Sequence, residues 1–312
     1  MSATSSMQSA ARPVKGRILI TGGTGFVGGN IRAALGDRPI RLLVRNKSKS
    51  PVEETANVEL VEGDVTKPET LRGAMNGCEA VIHLVAIIAE KGESTFDGVI
   101  RAGTANVVAE ARRVGIKRLI HMSAMGAAND PRYPYLKAKW DSEQIVKQSG
   151  LPFTIFRPSV IFGPEDGFIN VLANLVRRAP VIPVVGSGQS KFQPVSVREV
   201  ATSFQRALDE PATAGQTYEL GGPEILTYEE LLDTIATKLG KKARKAHVPV
   251  GLMKPIVKLS KPLPSALRPP VTEEQLRMLA LDNCSLDSAT SRLIGRQPTR
   301  LRDGIDYIVR KR

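Results

Sequence analysis

Close to its N-terminus the chain reads RILI and then TGGTGFVGGNIRAAL, a β-branched run, a turn of glycines and apolar residues at helical spacing. A strand that enters a helix through such a turn commits the polypeptide to the first βα step of a wound α/β sheet. Gly22, Gly23, Gly25 and Gly28 satisfy both G-x-G-x-x-G and G-x-x-G-x-x-G. Glycines at this spacing allow the tight turn, let the backbone approach a pyrophosphate and bring the helix close to the sheet, while the helix N-terminus attracts phosphate. Thr21, Gly22, Gly23, Thr24, Gly25, Phe26, Val27 and Gly28 are therefore expected to cradle a dinucleotide. The turn lacks the Lys-Ser/Thr ending of a P-loop, which argues against nucleotide hydrolysis.

The same order then repeats. Strand-like IRLLV at 40–44, VELVEGDV at 58–65 and AVIHLVAI at 80–87 are separated by helical stretches from Pro68 and through Gly103 to Val114, and KRLIHMSAM follows as a fifth strand. A helix from Tyr135 to about Gln148 stops at Gly150, before the strand PFTIFRPSV. Alternation of this length predicts an α/β protein, a Rossmann doubly wound parallel sheet with right-handed crossovers and a smaller C-terminal α/β substrate lobe. The expected division is a tail at 1–13, a nucleotide-binding domain at 14–165 and a substrate or partner lobe at 166–312, completed in part by strands returning to the main domain. Within that lobe GPEDGFINVLANLVRR reads as helix, QPVSV and TYEL as short strands, and LTYEELLDTIATKLG as a helix capped by Thr227 with Glu230. Six prolines in 248–271 argue against a long regular helix there.

Cofactor choice is written after the second strand, where an acidic residue would accept from the ribose hydroxyls of NAD. Here the chain reads LLVRNKSK, and Arg45 with Lys47 suits the extra phosphate of NADP, so NADP(H) is expected over NAD(H). Asp64 and Val65 close the third strand near the adenine edge, and Leu84 and Ala86, late in the fourth, complete the cofactor set. Catalytic candidates are Ser123 after the fifth strand and the pair Tyr135 and Lys139. Four residues apart on a helix, Tyr and Lys share a face, and the cation favours a phenolate able to exchange a proton with a carbonyl or alcohol. Ser123 would hold the reacting oxygen. Tyr133 and Lys137 share the spacing, but Tyr133 precedes a proline and is biased out of helix.

The net charge of +13 is concentrated late, with 16 Lys or Arg against 6 Asp or Glu in residues 241–312. Such a surface suits an anionic membrane or an acidic partner, and equally a solvated face; no aromatic platform accompanies it, so nucleic acid is not expected. The longest apolar run, around 80–89, is interrupted by His83 and is about half the ~20 residues of a membrane-spanning helix. The first dozen residues lack the continuous apolar core of a signal peptide, and a cytoplasmic location is expected. Cys78 and Cys284 match no metal or redox spacing and read as reduced thiols. His83, His121 and His247 are dispersed and read as core residues, and no metal is expected.

TGGTGFVG, GDV, HMSAMGA, YLKAKWDSE, FRPSVIFGPEDGFIN and QPVSVREVA together resemble the atypical and extended short-chain dehydrogenase/reductases, over nearly the whole chain. KWDSEQIV leading into TIFRPSVIFGPEDGFIN, and the later PPVTEEQLRMLALDN, are most similar to the group of the nucleotide-binding accessory subunit of mitochondrial respiratory complex I and its bacterial relatives. The resemblance implies Gly22, Gly25 and Gly28 at the pyrophosphate, Arg45 at the ribose phosphate, Asp64 near adenine and a Ser123, Tyr135, Lys139 site, with Trp140 and Glu143 matching the family pattern after the lysine. It implies an NADP(H)-dependent oxidoreductase acting on a small molecule. The alternatives are a non-catalytic accessory or assembly protein of a respiratory membrane complex, and a sugar-nucleotide epimerase or dehydratase. In the complex I group the C-terminal half faces membrane and lipid, so Leu252, Met253, Ile256 and Val257 beside Lys254, Lys258 and Lys261 suit an anionic interface, peripheral on the cytoplasmic face, and equally a lid or oligomer contact packed on the protein itself.

Overall fold

The computed structural model describes residues 12–249 and 273–309. Most of the expected tail, and residues 250–272 with the expected interfacial side chains from Leu252 to Lys261, lie outside the described residues. The chain divides into two compact units, the first built from the chain up to Pro158 with Val197–Leu220 and Ser288–Arg296, the second from Ser159–Ser196, Gly221–Asp287 and the chain from Gln297.

The first unit runs β1 (Arg17–Thr21), α1 (Phe26–Leu35), β2 (Ile40–Val44), β3 (Val58–Glu62), α2 (Pro68–Leu71), β4 (Cys78–His83), α3 (Gly103–Val114), β5 (Arg118–Met122), α4 (Pro134–Lys147), β6 (Phe153–Pro158), α5 (Val197–Asp209), β7 (Gln216–Leu220) and α6 (Thr290–Ile294). The seven strands form one parallel sheet in the order β7-β6-β5-β4-β1-β2-β3, as the alternation of the sequence predicts. Both faces are covered, so the central strands read as continuous apolar runs. Leu19, Val81, Leu119 and Ile155 share one buried cluster with Val107, Val108 and Ala111 of α3 and Val146 of α4. Their neighbours Ile18, Ile20, Ile82, Ile120 and Phe156 are equally buried and, by the two-residue period of a strand, belong to the opposite face. There α1 packs against α5, and α6 against α5.

Arg118, at the start of β5, is 1% exposed and bonded to no carboxylate among the described residues. Its Nε and Nη1 donate to the carbonyls of Ala207 and Phe153, and Nη2 donates to the hydroxyls of Thr154 and Thr213 at 2.5 and 2.6 Å. Four donated bonds to neutral acceptors tie the end of α5 to the sheet, and burial brings the pKa down to about 10.

Several boundaries differ from the sequence expectation for local reasons. β3 ends at Glu62; Gly63 still donates to Val44 O, and Asp64 then folds into a turn in which its Oδ1 accepts from Thr66. The helix from Pro68 is a single turn, followed by Gly73 and Gly77 at φ +80° and +72°. The helix expected through Gly103 is preceded by a wide turn of π type over Asp97–Ala102.

The second unit has its own core, in which the helices Ile169–Arg178 and Tyr228–Lys238 bury Leu172, Ala173, Val176, Leu231, Leu232 and Ile235 around Phe162 and Phe192. Asp166, 4% exposed, accepts from the amides of Gly163, Phe168 and Asn170 and from the hydroxyl of Tyr307, fixing the turn before the first of these helices. Thr227 and Glu230 form the expected capping box.

Candidate nucleotide and catalytic site

The strands of the sheet are parallel, so their C-terminal ends share one edge, where ligands of wound α/β sheets bind. At that edge β1 turns at Gly22, φ +72°, and α1 begins after Gly25, whose missing side chain leaves the first-turn amides without a side-chain cap. A Cβ on Gly28 would lie 2.4 Å from Gly22 O and 2.6 Å from Gly23 Cα. Only glycine allows the helix to approach the turn this closely. The close approach, the uncapped amides and the absence of acidic residues in the first turn fit a bound pyrophosphate.

Thr24 is exposed, Phe26 and Val27 are half-buried, and Thr21 is buried. The Leu84 amide, just after β4, donates to Thr21 O at 3.2 Å, which fixes the spacing of the two strand ends. Ala86 and Tyr135 pack beside Phe96, Ile100 and Ala138. Asp64 Oδ1 accepts from the amide and hydroxyl of Thr66 at 2.9 and 2.8 Å, and the carbonyl of buried Val65 accepts from Asn106 Nδ2. Arg45 is exposed just after β2, whereas Lys47 Nζ lies 3.7 Å from Glu54 Oε1.

Of the catalytic candidates, Ser123 and Lys139 converge at the end of β5. Lys139 is 1% exposed, and its Nζ donates to Met122 O at 2.9 Å. An ammonium carries three donors, so two remain for other acceptors. Burial pushes its pKa down to about 8, with Glu143 working in the opposite direction. Tyr135 opens the same helix one turn earlier, its ring edge-on to Phe96 at 5.7 Å between centroids. Tyr133 stays outside the helix, as its following proline predicts, and Lys137 pairs with Asp141 at 2.7 Å.

Ser123 Oγ donates to Glu143 Oε1 at 2.6 Å. Glu143 is fully buried and receives two bonds from Arg157, Nε to Oε1 and Nη2 to Oε2, both 2.7 Å, with Lys147 Nζ at 3.4 Å. The hydrogen bonds to Glu143 raise the Arg157 pKa. Arg157 and Lys147 are absent from the expected site set, in which Glu143 stands only as a match to the family pattern. The signal of the cluster is an arginine within the apolar strand FTIFRP and a glutamate one turn after Lys139.

His83 and His121 occupy the core, as expected, but they also form a polar column. Thr104 Oγ donates to Ile100 O, so it accepts from His83 Nε2, and Thr21 Oγ donates to His83 Nδ1 at 2.7 Å. The His121 ring stacks on His83 at 5.3 Å, and its Nε2 donates to Ser142 Oγ, whose proton goes to Lys139 O. His121 Nδ1 is buried without a partner among the described residues. Burial and the charge of Lys139 hold the His83 pKa down at about 3; burial, His83 and Lys139 hold His121 well below its ordinary value. His247 differs, exposed with Nε2 2.8 Å from Glu229 Oε1. Among the described residues there is no group of His, Cys, Asp or Glu able to hold a metal, no helix long and apolar enough to cross a membrane, and no disulfide between Cys78 and Cys284.

Comparison with known proteins agrees with this geometry. A family profile described as NAD(P)H-binding matches residues 22–177. The chain is 28% identical over 288 residues to NADH dehydrogenase [ubiquinone] 1 alpha subcomplex subunit 9 of Arabidopsis thaliana, covering 86% of this chain and 71% of that one. It is 30% identical over 242 residues to the ceramide reductase of Caulobacter vibrioides, covering 77% and 75%. Among solved structures, dTDP-glucose 4,6-dehydratase DesIV of Streptomyces venezuelae with NAD and TYD bound aligns over 94% of this chain and 95% of that one, with a TM-score of 0.71 and 21% identity, a likeness of fold. With its glycine cradle, parallel sheet and matching profile, the chain belongs to the NAD(P)H-binding family of Rossmann-fold, short-chain dehydrogenase-like proteins.

Proposed function

We propose that the protein is an oxidoreductase that uses NADP(H) in preference to NAD(H) and acts on a carbonyl or alcohol through Ser123, Tyr135 and Lys139. The observation that carries this reading is Lys139, a buried ammonium with donors to spare, one helical turn from Tyr135 at the ligand-binding edge of the sheet. Bound cofactor would supply or receive the hydride. Gly22 to Gly28 would hold its pyrophosphate, Arg45 its 2′-phosphate and Lys139 its ribose hydroxyls. Tyr135 exchanges the proton with the reacting oxygen, and the Lys139 cation stabilises the phenolate that remains. Ser123 holds that oxygen; to donate to it, the hydroxyl leaves Glu143, which keeps both bonds from Arg157.

A second reading, a non-catalytic NADP(H)-binding accessory protein of a respiratory membrane complex, is favoured by that same Ser123 bond, which commits the serine proton inward, and by the relative named as a subunit of NADH dehydrogenase. The basic C-terminal lobe would then meet the complex or an anionic membrane surface from the cytoplasmic side.

Titration of NADPH and NADH by intrinsic fluorescence is expected to show tighter NADPH binding. Arg45→Asp should cost NADPH about ten- to a hundredfold, the worth of a charge-assisted bond, and leave NADH nearly unchanged. An unaltered ratio removes Arg45 from the phosphate site. Against a panel of ketones, quinones and sugar nucleotides, Tyr135→Phe should lower turnover by roughly 10²- to 10⁴-fold with nucleotide affinity retained. Undiminished turnover refutes the assignment of Tyr135, and tight nucleotide binding without turnover in the unmodified protein selects the accessory reading.

A further inference from the structure

The loop that follows β2 carries an internal opposition of charge. Val44 is paired with Glu62 across β2 and β3, and Gly63 donates to Val44 O, so Arg45 leaves the sheet beside the end of β3. Glu62 Oε1 accepts the backbone amide of Lys47 at 2.8 Å, and Glu54 Oε1 lies 3.7 Å from the Lys47 ammonium. Asn46 Oδ1 accepts from the Lys49 amide and the Ser48 hydroxyl. The loop is thus braced from within, and two donors that it would turn toward an anion, the Lys47 amide and ammonium, already face carboxylates. Arg45 is exposed and forms no ion pair or hydrogen bond among the described residues.

We infer that Glu62 is a specificity-determining residue that opposes the 2′-phosphate of NADP(H) and so limits the preference that Arg45 creates. The inference rests on the reading of Arg45 as the phosphate ligand. A phosphate brought to Arg45 adds up to two negative charges near the Glu62 carboxylate, which repels it and holds the neighbouring amide. The ribose of NAD(H) presents hydroxyls at the same place, and a carboxylate accepts from hydroxyls without repulsion. Arg45 and Glu62 therefore pull the choice of nucleotide in opposite directions, and Glu54 acts with Glu62 by neutralising Lys47.

Glu62→Gln removes the charge and keeps an oxygen able to accept the Lys47 amide, so the brace survives. Fluorescence or calorimetric titration of the full-length protein with NADPH and NADH should then show NADPH bound roughly fivefold tighter and NADH unchanged or weaker, the scale of one surface charge. Glu54→Gln should move NADPH in the same direction by less, and both gains should shrink in high salt. An unchanged NADPH to NADH ratio in Glu62→Gln, a parallel shift of both nucleotides, or weaker NADPH binding overturns the inference. Arg45→Asp, titrated alongside, separates the two failures. If it alters the ratio and Glu62→Gln does not, only the role of Glu62 falls; if neither variant alters it, or neither nucleotide binds, the NADP(H) reading falls as well.

Discussion

Replacing Arg157 by methionine is expected to lower the unfolding midpoint by about 5 °C. Glu143 is fully buried, and Arg157 supplies two of the bonds that hold its carboxylate. Breaking a buried pair from one side leaves an uncompensated charge, at about 3–5 kcal/mol. The lower end applies, because Lys147 and Ser123 still reach the carboxylate and Arg157 is 21% exposed. In a chain of 312 residues each kcal/mol moves the midpoint by about 1.5 °C. Calorimetry of the variant checks the value, and adding Glu143→Gln should recover part of the loss by removing the stranded charge. A shift of less than 2 °C would mean that the pair is solvated and that Ser123 is held by something else.

Acid should unfold the protein through its stacked histidines. His83 and His121 are both 1% exposed, and both have pKa values lowered in the fold, His83 to about 3. The unfolded chain therefore binds more protons than the folded one below the ordinary histidine value of 6.5, and stability falls as pH falls. His83 stays neutral in the fold down to about pH 3, so below the ordinary value it costs the fold roughly 1 kcal/mol for each pH unit, and His121 acts in the same direction. His121→Gln keeps a donor for Ser142 and cannot titrate. Urea unfolding of both proteins from pH 7 to 4.5 should show the variant losing less stability than the parent as the pH falls below 6. Parallel profiles would show that His121 is charged, or reached by water, in the native state.

The parts of the molecule that were legible in the sequence are those whose causes are local. Gly28 meets Gly22 six residues away, and Thr227 is capped three residues on, so spacing alone announces both. The alternation of strands and helices likewise declares the parallel sheet. Ser123 shows where locality ends. Its hydroxyl is bound by a glutamate 20 residues later, which is held by an arginine a further 14 residues on, and no periodicity connects the three. The histidines were legible as core because they interrupt apolar strands, but the column they form depends on Thr21, Thr104 and Ser142 from three different elements. Lys47 read as a phosphate ligand from its place after β2, and only the fold brings Glu54 and Glu62 to it.

The scattered make-up of the first unit has a bearing on the order in which the protein comes off the ribosome. Six of its seven strands are complete once Pro158 has emerged, but the edge strand Gln216–Leu220, which pairs with β6, is made some 60 residues later, and the helix Thr290–Ile294 later still. Until then the outer edge of β6 has an open row of amides and carbonyls, and Arg118 lacks its acceptors at Ala207 and Thr213. A nascent nucleotide-binding sheet in this chain is thus an unfinished one until Leu220 has emerged, and the helix that packs behind it is missing until Ile294.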